Sequence, residues 1–147
     1  MIKSELNSKV RTTLGRAWLT SAEQAANKVL KIKKKYIVSV VLVGPKGIQT
    51  LNKKFSGKNK PTDVLSFSSL GKDKFIAPKG GEVNIGEIVI CPQIAKAGAK
   101  ASGHSLKREI QILYAHGLLH ILGYGHGRAA DAKKMFKIQE DIIRKIK

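Results

Sequence analysis

Three histidines near the end of the chain are the residues best suited to chemistry: His116-Gly-Leu-Leu-His120-Ile-Leu-Gly-Tyr-Gly-His126. His116 and His120 are spaced so that a helix sets both imidazoles on one face, one turn apart. Taken alone, that pair also describes two hydrogen-bonded core histidines. His126 follows a Gly-Tyr-Gly turn that can fold it back toward the other two. Three neutral imidazoles converging from a helix and its following turn describe a zinc site with one open position. An open position on zinc points to an activated water and a hydrolytic reaction. A structural zinc site would draw a fourth protein ligand, with cysteines among the set, and no cysteine is close in sequence. Imidazole also accepts nickel, copper and iron, so the spacing leaves the metal's identity open. Gly117 follows His116 where the helix of a zinc metalloprotease carries Glu as general base, which argues against peptide hydrolysis by that route.

Composition points to the partner. Lys plus Arg number 28 against 10 Asp plus Glu, a formal net charge of +18. A field of that sign attracts polyanions, nucleic acid first among them. Basic residues with no strongly apolar face argue against a membrane surface. The hydrophobic fraction of 42% suits an ordinary soluble fold, and the 147 residues suit one domain with one core. The one cysteine, Cys91, excludes an intramolecular disulfide and fits a reducing cytoplasm. It ends an apolar run before Pro92 and reads as a buried core thiol. Lys3, Glu5 and Lys9 interrupt any apolar stretch at the N-terminus, so no signal peptide is expected.

The elements that must position these residues follow from periodicity. Thr20-Ser21-Ala22-Glu23 has capping-box spacing, predicting a helix from there to about Lys35, with Ala22, Ala25, Ala26, Val29 and Leu30 inward. Lys31 and Lys33 to Lys35 close it, either as a dipole-compensating end or as an RNA-facing patch. Tyr36 to Val43 reads as a buried strand, Ile48 to Phe55 as a short helix with Ile48, Leu51 and Phe55 on one side, and Asp63 to Ser68 as a second strand. Residues 72–81 read as a loop and Gly86 to Cys91 as a third strand. Pro92 can open a helix running to Ser102. Ser105 can cap the helix carrying Leu106, Ile110, Leu113, Tyr114, Gly117 and Ile121 inward, with Gly123 stopping it. A last helix from about Arg128 to Ile146 turns Met135, Ile138, Ile142 and Ile146 inward. The resulting order is helix, strand, helix, strand, strand, then helices.

The histidine motif resembles the signature of the YbeY family of rRNA maturation factors. Lys60-Pro-Thr-Asp-Val-Leu-Ser-Phe67 resembles the second hallmark of that family, and Gly86-Glu87-Ile-Val-Ile-Cys91 the third, where the second residue is usually Asp. The resemblance runs over residues 36–146. It implies an α+β fold, a small mixed sheet packed with helices, and a zinc-dependent single-strand endoribonuclease of rRNA processing and ribosome assembly. His116, His120 and His126 would hold one zinc per chain. Ribosomal proteins or the small ribosomal subunit would be further partners.

Two positions depart from the family pattern. Ser56 stands where an Arg usually precedes Gly57-Lys58; an Arg there would stabilise phosphate charge, and Lys54, Lys58 or Lys60 can replace it only as point charges. Gly125 stands where Asp usually precedes the third histidine, and Glu87 is the candidate for a compensating carboxylate. Arg128 is either a phosphate contact or a solvated cation. Asp63 reads as a brace for its loop, Tyr124 as packing over the turn, and His104 as an exposed loop histidine. Two other functions stand beside the nuclease: a non-catalytic RNA-binding assembly factor with a structural metal, and a metal-dependent hydrolase of another substrate.

Overall fold

Among the described residues, four strands in the order β1-β2-β4-β3 form a mixed sheet. The computed structural model describes residues 1–70, 81–125 and 127–147. Strands β1 (Ile2–Ser8), β2 (Tyr36–Leu42) and β4 (Val83–Ile90) run parallel, and β3 (Val64–Ser68) pairs antiparallel with β4 at the edge. Helices α1 (Ala17–Leu30), α4 (Leu106–Ile121) and α5 (Ala129–Lys145) contribute to the larger core on one face; α2 (Pro45–Ser56) covers part of the other, and α3 (Pro92–Ser102) follows β4. The expected α+β architecture is therefore what forms. The loop expected over residues 72–81 lies outside the described residues except for Gly81.

Strand β1 was not anticipated. Its inward positions are Ile2, Ser4 and the partly buried Leu6, so the middle one of the three is polar and the alternation is weak. Tertiary bonds make Ser4 tolerable: its Oγ lies 2.8 Å from the Tyr114 hydroxyl, its N–H donates to Glu23 Oε2 at 2.6 Å, and its carbonyl accepts from Arg16 Nη2 at 2.7 Å. The bond to Ser4 also corrects the capping-box expectation. Glu23 holds strand β1, and α1 begins a turn earlier with Arg16 at its N-cap. The helix stops at Leu30 because Lys31 turns left-handed (φ 50°), so Lys33 to Lys35 lie beyond it in the approach to β2.

Smaller corrections have equally local causes. Pro45 starts α2 at its first turn, ahead of the expected Ile48. Phe55 is exposed and meets Phe67 edge-on at 5.0 Å instead of entering the core. His104 is not a free loop residue but contacts Glu109. Cys91 is fully buried, as expected.

Tyr114 is fully buried, and burial pushes its phenol well above the ordinary value of 10.0, outweighing the opposing hydrogen bond from Ser4. The unfolded chain therefore releases this proton first. The contribution of Tyr114 to stability is complete below pH 10 and is lost as pH rises above it. Tyr114→Phe should cost about 1–2 kcal/mol at neutral pH, by stranding the Ser4 hydroxyl. It should also flatten the alkaline decline in stability, measured by thermal melts of both proteins at neutral and alkaline pH.

Candidate metal centre

Helix α4 carries the site because its sequence lets it lie unusually close to the sheet. Nine of its residues are buried, and Ser105 caps its start by accepting from the Arg108 N–H at 3.1 Å. Gly117 is the contact point: a Cβ there would sit 3.1 Å from Ile88 Cγ2 on β4. One turn on, Ile121 lies over Gly86, where a Cβ would be 3.2 Å from its side chain and only 2.2 Å from the Phe67 carbonyl. Gly117 thus faces the sheet, so a Glu at that position would collide with Ile88 instead of serving as a base. Ser68 Oγ donates to the Ile121 carbonyl at 2.8 Å and ties β3 to the end of the helix. The helix ends as expected, with Gly123 at φ 99°.

This packing leaves His116 and His120 on the flank of α4. Their rings cross at 80° with centroids 4.5 Å apart, and the two Nε2 atoms are 3.0 Å from each other. His116 Nδ1 lies 2.9 Å from Gln139 Oε1 on α5. An amide oxygen only accepts, so Nδ1 is the donor in this contact, and in a neutral ring the lone pair then lies on Nε2. The donor set suits zinc: nitrogen ligands at ~2.0–2.1 Å from a tetrahedral ion stand roughly 3.4 Å apart, close to the separation found here. His126, the third expected ligand, lies outside the described residues, and among the described residues no three potential ligands cluster.

The histidines open onto a cavity of about 610 Å³. His116, Gly117, His120 and Ile121 line it from α4, and Ser66 and Ser68 from β3; Ser56 and Lys58 line it from the end of α2 and the following loop. Local structure explains the last two. Gly57 turns left-handed (φ 72°) to end α2, while the buried Asn52 donates to the Lys60 carbonyl at 3.0 Å and Gln49 to Asn59 Oδ1 at 3.1 Å. The loop is thereby pinned, and Lys58 lines the same cavity as the histidines.

Other expected residues fall elsewhere. Glu87 is exposed and pairs with Phe67, whereas the next residue, Ile88, packs on Gly117; alternation along β4 puts the carboxylate on the sheet face opposite the histidines, so the structure does not support it as a compensating group. Lys54, beside the Phe55 ring, and Lys60 are exposed and are not among the described lining residues. Arg128 is exposed at the N-cap of α5. The Asp63 carbonyl accepts from the Cys91 N–H at 2.9 Å, joining its loop to the end of β4. Tyr124 packs against the core, and a Cβ at Gly125 would meet nothing within 4 Å among the described residues. Gln139 was missed. A polar residue beside Ile138, on the inward side of a helix carrying Met135 and Ile142, was its only signal.

Comparison with known proteins identifies the family. A family model described as Endoribonuclease YbeY matches residues 1–147. A protein named Endoribonuclease YbeY from Syntrophomonas wolfei is 36% identical over 132 residues, covering 88% of this chain and 85% of that one. One of the same name from Halalkalibacterium halodurans is 40% identical over 112 residues, covering 74% and 70%. The Frankia casuarinae relative is 38% identical over 112 residues, and there the match spans 55% of the relative's length. The solution structure of TM1509 from Thermotoga maritima superposes with a TM-score of 0.65 at 28% identity, covering 99% of this chain and 89% of that one. The chain belongs to the YbeY family.

Proposed function

We propose that this protein is a zinc-dependent endoribonuclease that cleaves single-stranded RNA in rRNA maturation. The observation that carries the reading is the pair of imidazole Nε2 atoms 3.0 Å apart on the wall of an open cavity that Lys58 also lines. His116, His120 and His126 would hold the ion. Zinc, when bound, supplies a Lewis acid for the scissile phosphate and lowers the pKa of a coordinated water. The protein's own part is positioning. Gln139 orients His116, the pinned loop presents the Lys58 ammonium to a phosphate, and Ser56 offers a hydroxyl but no charge. The cavity of about 610 Å³ is large enough to take a nucleotide-sized portion of a substrate. The +18 charge supplies sequence-independent attraction to the RNA backbone. Partnership with ribosomal proteins or the small ribosomal subunit, and a cytoplasmic location, belong to the same reading. No helix among the described residues is long and apolar enough to cross a membrane.

Lys58→Ala provides the test of the RNA-facing cleft. It should weaken single-strand binding evenly across sequences and reduce the slope of log affinity against log salt by about 0.7. Unchanged binding and slope would remove Lys58 from the interface. Ser56 in the cavity favours a second reading, an assembly factor that binds RNA without cutting it. Metal-loaded protein that binds a single strand and leaves it intact would support that alternative.

A further inference from the structure

We propose that Gln139 is the positioning residue of the metal centre, fixing which nitrogen of His116 faces the ion. The proposal rests on the reading of His116 and His120 as metal ligands. Gln139 comes from a different helix, α5, and its half-buried side chain reaches His116 Nδ1 at 2.9 Å. Its oxygen accepts the Nδ1 proton and leaves the lone pair on Nε2, the nitrogen directed at His120. An amide has a second face. Turned over, its NH₂ would donate to Nδ1, the ring proton would move to Nε2, and His116 would cease to be a ligand at that atom. Gln139 therefore acts through its acceptor oxygen, without adding charge to a cationic centre. Met135 and Ile142, fully buried on the same helix, hold α5 in place and limit how far the side chain can drift.

The role predicts more than lost activity. In metal-free protein at mildly alkaline pH, the ring-nitrogen chemical shifts of His116 should report the Nδ1-protonated form. Gln139→Leu, similar in length and without an acceptor, should shift the ring toward the Nε2-protonated form and weaken zinc binding by about 10–100-fold, measured by competition with a chelator. Gln139→Glu keeps an acceptor and should retain the tautomer and bind zinc at least as tightly as the wild type.

An Nε2-protonated His116 in the wild type would overturn the proposal. So would a folded Gln139→Leu protein with wild-type tautomer and affinity. If Gln139→Leu does not fold, Gln139→Glu decides, since weaker zinc binding than wild type would contradict a role as acceptor. His116→Ala separates the two levels. If it binds zinc as tightly as the wild type, the metal reading itself fails and the proposal with it. If it loses zinc while Gln139→Leu does not, only the positioning role fails.

Discussion

His116→Ala and His120→Ala should each lose zinc affinity by on the order of a thousandfold or more, exceeding the ~10–100-fold expected when only a ligand's supporting hydrogen bond is removed. RNA cleavage should fall to background in both. The loss should be confined to the metal and the chemistry. Single-strand affinity should stay within about threefold of wild type, because phosphate contacts dominate binding by a basic protein. Stability should change little when metal is absent from both proteins, because the histidines are only partly buried and the α4 core rests largely on Tyr114, Ala115, Leu118 and Leu119. Metal titration, cleavage and RNA binding on the same preparations check this. A variant that keeps zinc and cleavage would remove the histidine from the centre.

Gly86→Ala should disturb the fold more than the same change at any other described glycine. Gly86 has φ 154°, and the added Cβ would lie 2.2 Å from the Phe67 carbonyl oxygen and 3.2 Å from Ile121. The nearest obstacle is backbone, on the strand directly paired with β4, so no side-chain rotation relieves it. A cost of about 3 kcal/mol or more is expected, lowering Tm by about 10 °C for a chain of this size. Because Ile121 closes the same contact, α4 should shift and zinc affinity should fall as well. Gly103→Ala is the control. Its φ is 74° but nothing among the described residues lies within 4 Å of the added carbon, so it should show only the left-handed backbone cost, about 1–2 kcal/mol. Equal melts for the two variants would show that conformational preference alone, and not close packing, explains Gly86.

These results bear on what could be read from the chain itself. Helix α4 was legible because apolar residues recur along it at helical spacing and a capping serine and stopping glycine bracket it. Its histidine pair was legible because helical spacing alone sets the two rings together. Strand β1 was not. Ser4 at an inward position hides the alternation, and its burial is made tolerable by Tyr114, Glu23 and Arg16, none adjacent in sequence. The same competition defeated the capping box, since Glu23 binds a strand instead of its own helix end. Gln139 was hidden for a related reason: nothing in α5 records that α4 places a ring nitrogen within hydrogen-bond reach. Glu87 failed because alternation along β4 turns it to the face opposite the Gly117 contact, a relation that needs the position of α4 as well as the strand. Lys58 differs again. Its neighbourhood was legible as a basic loop, but its place on the wall of the histidine cavity depends on Asn52 and Gln49 pinning that loop.

The most direct measurement is cleavage of a labelled single-stranded rRNA fragment by the purified protein as isolated, after chelation, and after zinc is restored, with His116→Ala carried through the same purification. A histidine-held metal nuclease predicts cleavage that disappears on chelation, returns with zinc and is missing from the mutant. Cleavage that survives chelation in the wild type and persists in the metal-free, folded mutant would contradict it.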